Sequence, residues 1–267
     1  MSEHNNHPFH LVEPSPWPIA TAMSLLVLAV GAILSMHQID HIVLIVGVCL
    51  LLYTVFSWWR DVVKEANTPN LHSNVVQNGL KIGMALFICS EVMLFGAFFW
   101  GYFNAAINPV EAIGSTWPPK GITPFDPMHL PYLNTLILLL SGSTLTWAHQ
   151  ELINGKFSQT TKFLLITVLL GVTFTIIQVC EYAHAAFAFK DGIYASIFYM
   201  ATGFHGAHVM IGTIFLAVCL FRNIKREFKP NHHVGFEAAA WYWHFVDVVW
   251  LFLFIAIYWG SYKPFIQ

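Results

Sequence analysis

The segment YMATGFHGAHVMIGTIF, Tyr199 to Phe215, contains no Lys, Arg, Asp or Glu, yet it holds His205 and His208. On a helix these two imidazoles lie at i and i+3 and share a face. His244 and Asp247, in AWYWHFVDVVW, have the same spacing. Glu91 has Met84, Phe87, Ile88, Phe95 and Phe98 as its helical neighbours. Imidazoles in an apolar setting can ligate a haem iron or a redox metal. They can equally hydrogen-bond across helices, each bond being worth about 1 kcal/mol or less. The glycines favour the second chemistry: Gly203, Gly206 and Gly212 carry no side chain, so a neighbouring backbone is expected to come close. A haem needs a wider gap lined by larger groups. Glu91 admits two readings, a carboxyl that relays protons or takes part in regulation, and one that hydrogen-bonds a neighbouring helix. Glu181 and His184, in QVCEYAHAAF, fall near a segment end and are expected to reach interfacial water.

The elements that carry these residues are membrane helices. Of the 267 residues 57% are hydrophobic and 10% charged, against roughly 25% charged in soluble domains. Mean hydropathy is +0.61. Seven apolar segments follow one another: Trp17 to Met36, Ile42 to Trp59, Gly79 to Phe103, Pro131 to His149, Phe163 to Ala186, Gly192 to Phe221 and Glu237 to Tyr262. Each is long enough to cross about 30 Å of hydrocarbon as a helix. In lipid a helix satisfies its own backbone, and no segment shows the alternation of a barrel strand. The reading is an all-α membrane protein with seven transmembrane helices.

Basic residues orient the spans. Taking the N-terminus and the even-numbered loops as one side, that side holds Arg60, Lys64, Lys81, Lys156, Lys162, Arg222, Lys225, Arg226 and Lys229. The other holds Lys120, Lys190 and Lys263. The positive-inside rule puts the N-terminus in the cytoplasm or matrix and the C-terminus on the periplasmic or intermembrane side. The stretch MSEHNNHPFHLVEPSPWPI has no Lys or Arg, unlike a cleaved signal or a transit peptide. Trp17, Trp58, Trp59, Trp100 and Trp259 sit near span ends as interface anchors.

Three regions follow: residues 1–60 with the first two spans, a polar linker 61–78, and a bundle 79–267 with a proline-rich outer loop 104–130. The short connection HQIDH makes the first two spans a tight hairpin, which the linker sets apart from the other five. Prolines stiffen the outer loop, which suits either docking on a partner or simple order. Net charge is −2, which leaves no nucleic-acid footprint. Cys49, Cys89, Cys180 and Cys219 lie in apolar runs without a CxxC and read as small buried hydrophobes. At the inner rim, Trp59, Arg60, Glu65 and His72 follow span two, and Arg222 and Lys225 follow span six. Cations there match lipid headgroups, although snorkelling accounts for the same residues.

The motifs WWRDVVKE (58–65), SEVMLFGAFFW (90–100), WPPKGI (117–122), LNTLILLLSG (133–142), TWAHQ (146–150), YMATGFHGAHVMIGTIF and HHVGFEAAAWYWHFVDVVWLFLF (232–254) occur in this order. Together they resemble subunit III of the aa3-type cytochrome c oxidases, the haem–copper terminal oxidases, over nearly the whole chain. The resemblance implies a two-helix N-terminal hairpin separated by a lipid-holding, V-shaped cleft from a five-helix bundle. It implies a non-redox accessory subunit that packs on subunit I, supports proton uptake and turnover stability, and leaves haem a and copper to partner subunits. Bound phospholipids are implied at Trp59, Glu65, His72, Arg222 and Lys225. Glu91 resembles the family's reactive membrane carboxyl. No catalytic or metal-ligating residue is implied in this chain. His205, His208, His244 and Asp247 are then expected to form an interhelical polar network. NLHSN and TWAHQ depart from the family pattern, which often has paired histidines at both places.

Other classes remain to be separated by measurement. A related quinol-oxidase subunit typically has five helices, against which the N-terminal hairpin argues. A proton-coupled transporter would show repeated halves or broken spans, and a haem-carrying cytochrome would show a Soret band.

Overall fold

A computed structural model describes residues 14–68 and 71–262. Lys263 and the stretch up to Glu13, both used above for orientation and targeting, lie outside the described residues. The described residues form seven long helices: α1 Trp17–Met36, α2 Ile42–Asn67, α3 Asn74–Ile107, α4 Leu130–Ile153, α5 Phe157–Ala183, α6 Ile193–Ile224 and α7 Val234–Tyr262. Six of them, all but α4, are long and apolar enough to cross a membrane. α4 carries Thr135, Ser141 and Thr146, whose hydroxyls donate to the carbonyls of Pro131 (2.8 Å), Leu138 (2.6 Å) and Gly142 (3.0 Å). These groups lower its hydropathy while remaining satisfied within the helix itself.

Several helices run past their apolar windows. α2 continues to Asn67 and α3 starts at Asn74, so most of the expected 61–78 linker is helical. Hydropathy marks the part of a helix that suits hydrocarbon, whereas the hydrogen-bonded backbone continues until a residue breaks it.

The chain divides into two compact units, one through Leu80 and one from Lys81. In the first, α1 and α2 pack face to face. A Cβ added to Gly31 would lie 2.5 Å from the backbone nitrogen of Leu44, and one on Gly47 would lie 2.6 Å from Leu28 Cα. Glycine is required at both because the obstacle is main chain. Ser24 and Thr54 hydroxyls meet at 3.3 Å between the two glycines' helices. At one end of the pair Trp17 Nε1 donates to Asp61 Oδ2 at 2.6 Å. The outward surface is apolar, with Ile19, Met36 and Phe56 exposed.

In the second unit α7 is the central helix. Its most apolar window is 61% buried, against 28% for α5 and 39% for α6. Trp243 and Trp250 are fully buried, and their indole N–H groups donate to Ser141 Oγ and Thr135 Oγ1 of α4, both at 2.9 Å. A π-helical turn, Phe254–Trp259, interrupts α7 near its end.

Two expectations need correction. Cys49, Cys89 and Cys180 are exposed on helix surfaces; only Cys219 is buried. Gly203 and Gly206 face open space, with nothing within 4 Å of an added Cβ, whereas Gly212 does receive a close neighbour, the Trp243 ring at 2.9 Å. The proline-rich loop docks on its own unit: Trp117 lies edge-on to Tyr102 and Tyr194, and Phe125 stacks on Phe198.

Candidate functional site

Glu91 lies on α3 and His208 on α6, and their facing atoms, Oε2 and Nε2, are 3.0 Å apart. His208 Nδ1 is 2.6 Å from the carbonyl of Phe204 one turn back. A carbonyl only accepts, so Nδ1 carries hydrogen and a single proton joins Nε2 to Glu91 Oε2. The Phe95 ring meets the His208 ring edge-on at 5.1 Å, walling the pair on one side.

His205, one turn before His208, is 1% exposed and makes a different bond. Its Nε2 donates to the carbonyl of Val246 in α7 at 3.1 Å. Trp250 (5.1 Å) and Phe174 (5.7 Å) lie against its ring. These aromatic rings fill the volume that a haem plane would need beside this imidazole.

His244 and Asp247 face another way. His244 Nδ1 is 3.6 Å from Asp247 Oδ2, and its Nε2 is 3.3 Å from Thr146 Oγ1 on α4. With Leu139, Gly142, Ser143, Val248 and Leu251 they line an open groove of about 310 Å³ between α4 and α7. The four residues expected to form one network therefore fall into separate groups: His208 with Glu91, His205 with the α7 backbone, and His244 with Asp247 and Thr146.

Glu181 was expected at interfacial water, and the structure corrects this. It is 1% exposed and accepts the Tyr258 hydroxyl at 2.6 Å and the Gln178 amide at 3.4 Å. Tyr258 belongs to the π-helical turn of α7, whose extra residue per turn changes the facing of the side chains after it. His184 does stay exposed, bonding the carbonyl of Cys180 at 2.8 Å.

The rim residues expected to meet lipid divide by exposure. Trp59 is 61% exposed on α2, and Glu65 and His72 are half-buried near the next turn. Arg222 is drawn inward: Nε donates to Glu227 Oε2 at 2.9 Å and the guanidinium sits 4.5 Å over the Phe228 ring. Lys225 is exposed and lies 4.3 Å over Phe221.

One cluster was missed altogether. Among the described residues, His149, His233 and Glu237 bring their ligand-capable atoms within 4.8 Å of one another. The available signal was the i, i+4 pair in HHVGFE; nothing local tied His149 to it.

A family model described as cytochrome c oxidase subunit III matches residues 7–262. The cytochrome c oxidase subunit 3 of Drosophila yakuba is 53% identical over 259 residues, covering 97% of this chain and 99% of its own. That of Dugong dugon is 51% identical over 256 residues, covering 96% and 98%. That of Rattus norvegicus is 50% identical with the same coverage as the dugong protein. With a match from Asn6's neighbour His7 to Tyr262 and half of all aligned residues identical, the chain belongs to the cytochrome c oxidase subunit III family.

Proposed function

We propose that this chain is the lateral support of its oxidase, packed on subunit I, with its lipid-facing surface holding phospholipid beside that neighbour. By family it is the non-catalytic subunit III of cytochrome c oxidase, an oxidoreductase complex, and it is an integral membrane chain. In the proposal all seven helices span, the N-terminus faces the cytoplasm or matrix, and haem a and copper lie in partner subunits.

The observation that carries this reading is the use made of the mid-depth imidazoles. His205 holds α7 and His208 holds Glu91, so both act between helices of this chain. Aromatic rings complete the packing around them. The test is purification in mild detergent. The chain should travel with subunit I, and once separated it should lack a Soret band. Separation with a stoichiometric haem would overturn the proposal.

Glu91→Gln is expected to leave electron transfer within about twofold of wild type. The glutamine amide can donate to His208 Nε2, so the α3–α6 link survives, while an ionisable group is lost. Oxygen consumption by the assembled complex measures this; abolished activity would contradict it. Proton uptake, measured beside it, reports whether Glu91 has a relay role.

Lys225→Ala is expected to reduce co-purifying anionic phospholipid and shorten the enzyme's working life. An interfacial lysine contributes about 1 kcal/mol toward an anionic surface, roughly a fivefold weaker site. Arg222→Ala should do more, because it also releases Glu227. Lipid mass spectrometry decides: unchanged phospholipid in both variants removes these residues from the lipid site.

A further inference from the structure

His149 at the end of α4, His233 immediately before α7 and Glu237 in the first turn of α7 meet at the end of the bundle that carries Arg222 and Lys225. We propose that these three side chains form a binding site for a divalent metal ion of the zinc type, joining α4 to α7.

The donor atoms are poised for ligation. His233 Nδ1 is 3.1 Å from the carbonyl of Lys229 and must donate to it, which in the neutral imidazole leaves Nε2 bearing a lone pair. A backbone carbonyl on the far nitrogen is the usual outer support of a metal-bound imidazole. That Nε2 faces Glu237 Oε1 at 3.5 Å. Two lone pairs facing one another repel unless a cation or a proton lies between them. His149 Nε2 is buried and has no hydrogen-bond partner. Its ring is held in place by stacking on Phe236 at 5.4 Å and by an edge contact with His233 at 5.3 Å.

Two imidazole nitrogens and one carboxylate oxygen are a zinc donor set, with bonds of about 2.0–2.2 Å and ligand atoms about 3.4 Å apart in a tetrahedron. The observed spacing, within 4.8 Å, is somewhat wider. Small side-chain rotations would close it, since His233 and Glu237 are one helical turn apart. Three protein ligands leave a fourth position for water. The site has a competitor: Lys81 Nζ lies 2.6 Å from Glu237 Oε2, the oxygen that does not face His233. The ammonium holds the carboxylate in position, but its charge opposes an incoming cation.

The competitor makes the proposal testable. The assembled oxidase is treated with chelator, titrated with zinc sulfate, freed of unbound ion by gel filtration and assayed for zinc by mass spectrometry. Wild type should take up one zinc more per complex than His149→Gln or Glu237→Gln, whose affinity at this site falls by roughly 100-fold or more, beyond the loss seen for outer-shell changes. His149→Asp, which keeps a ligand atom, should retain the extra ion. Lys81→Met should bind it on the order of tenfold more tightly, since a neighbouring like charge, half-exposed and 2.6 Å from Glu237, is removed. A complex held together only by a Lys81–Glu237 ion pair gives the opposite result for Lys81→Met, with no gain in affinity. Equal zinc content in wild type, His149→Gln and Glu237→Gln, with the subunit retained in all three, overturns the site. Should His149→Gln fail to assemble, the comparison of Lys81→Met with wild type carries the test alone.

Discussion

Trp243→Ala is expected to destabilise the C-terminal unit by about 3–5 kcal/mol, the range for truncating a large aromatic side chain in a packed core. The ring is fully buried where four helices meet. Gly171 of α5 and Gly212 of α6 lie against it: a Cβ on either would come within 2.7 and 2.9 Å of the indole. Its Nε1 donates to Ser141 of α4 at 2.9 Å. Lipid is as apolar as the ring, so the loss is one of packing and dispersion contacts rather than of water exclusion. Thermal unfolding of the detergent-solubilised complex, followed by release of this subunit, should shift downward by about 10 °C. Trp243→Phe should fall between, keeping part of the volume and losing the indole N–H. A Trp243→Ala complex that melts with wild type would show that α4, α5 and α6 hold together without this residue.

Gly31→Leu is expected to open the α1–α2 pair. The first atom of the new side chain would lie 2.5 Å from Leu44 nitrogen and 2.6 Å from Leu44 Cα. The obstruction is backbone, so no rotamer of the leucine or of its neighbours relieves it. The helices must separate, and overpacking of this kind costs typically about 1–3 kcal/mol, more where the backbone itself blocks. Separation breaks the Ser24–Thr54 contact at 3.3 Å, and the Trp17–Asp61 hydrogen bond at 2.6 Å lies on the same pair. A cysteine pair introduced as Ser24→Cys and Thr54→Cys reports the gap through oxidative cross-linking. Its yield should fall severalfold when Gly31→Leu is added. An unchanged yield would mean that the two helices can slide past the obstruction. The core around Trp243 belongs to the other unit and should keep its melting behaviour.

The positions of the helices were legible in the sequence, and so was the family. A run of about 20 apolar residues has few alternatives in a bilayer, because the backbone must bond to itself there. The segments read as Trp17 to Met36 and Ile42 to Trp59 reappear as α1 and the greater part of α2. Helix ends were less legible: α3 starts at Asn74 in residues whose polarity reads as linker. Hydropathy reports the solvent that a segment prefers and says nothing of where its ladder of hydrogen bonds stops.

The facing of the side chains belongs to the tertiary structure. A helix that is apolar all round has no stripe to show which side meets protein and which meets lipid. Gly203 and Gly206 therefore turned out to face open space, and Gly212, on the same helix, to meet Trp243. Glu181 reads as interfacial from its place in the chain, yet it accepts a hydrogen bond from Tyr258, 77 residues away. His205 and His208 share a helix face and still take partners on different helices, Val246 on α7 and Glu91 on α3. His149 has no local sign of its meeting with His233 and Glu237. The amino-acid order alone determined a family and a set of long helices, because each helix is a local contest between backbone and hydrocarbon. Which imidazole meets which carboxyl depends on the rotation of one helix against another, and only the packing of all their side chains together decides that.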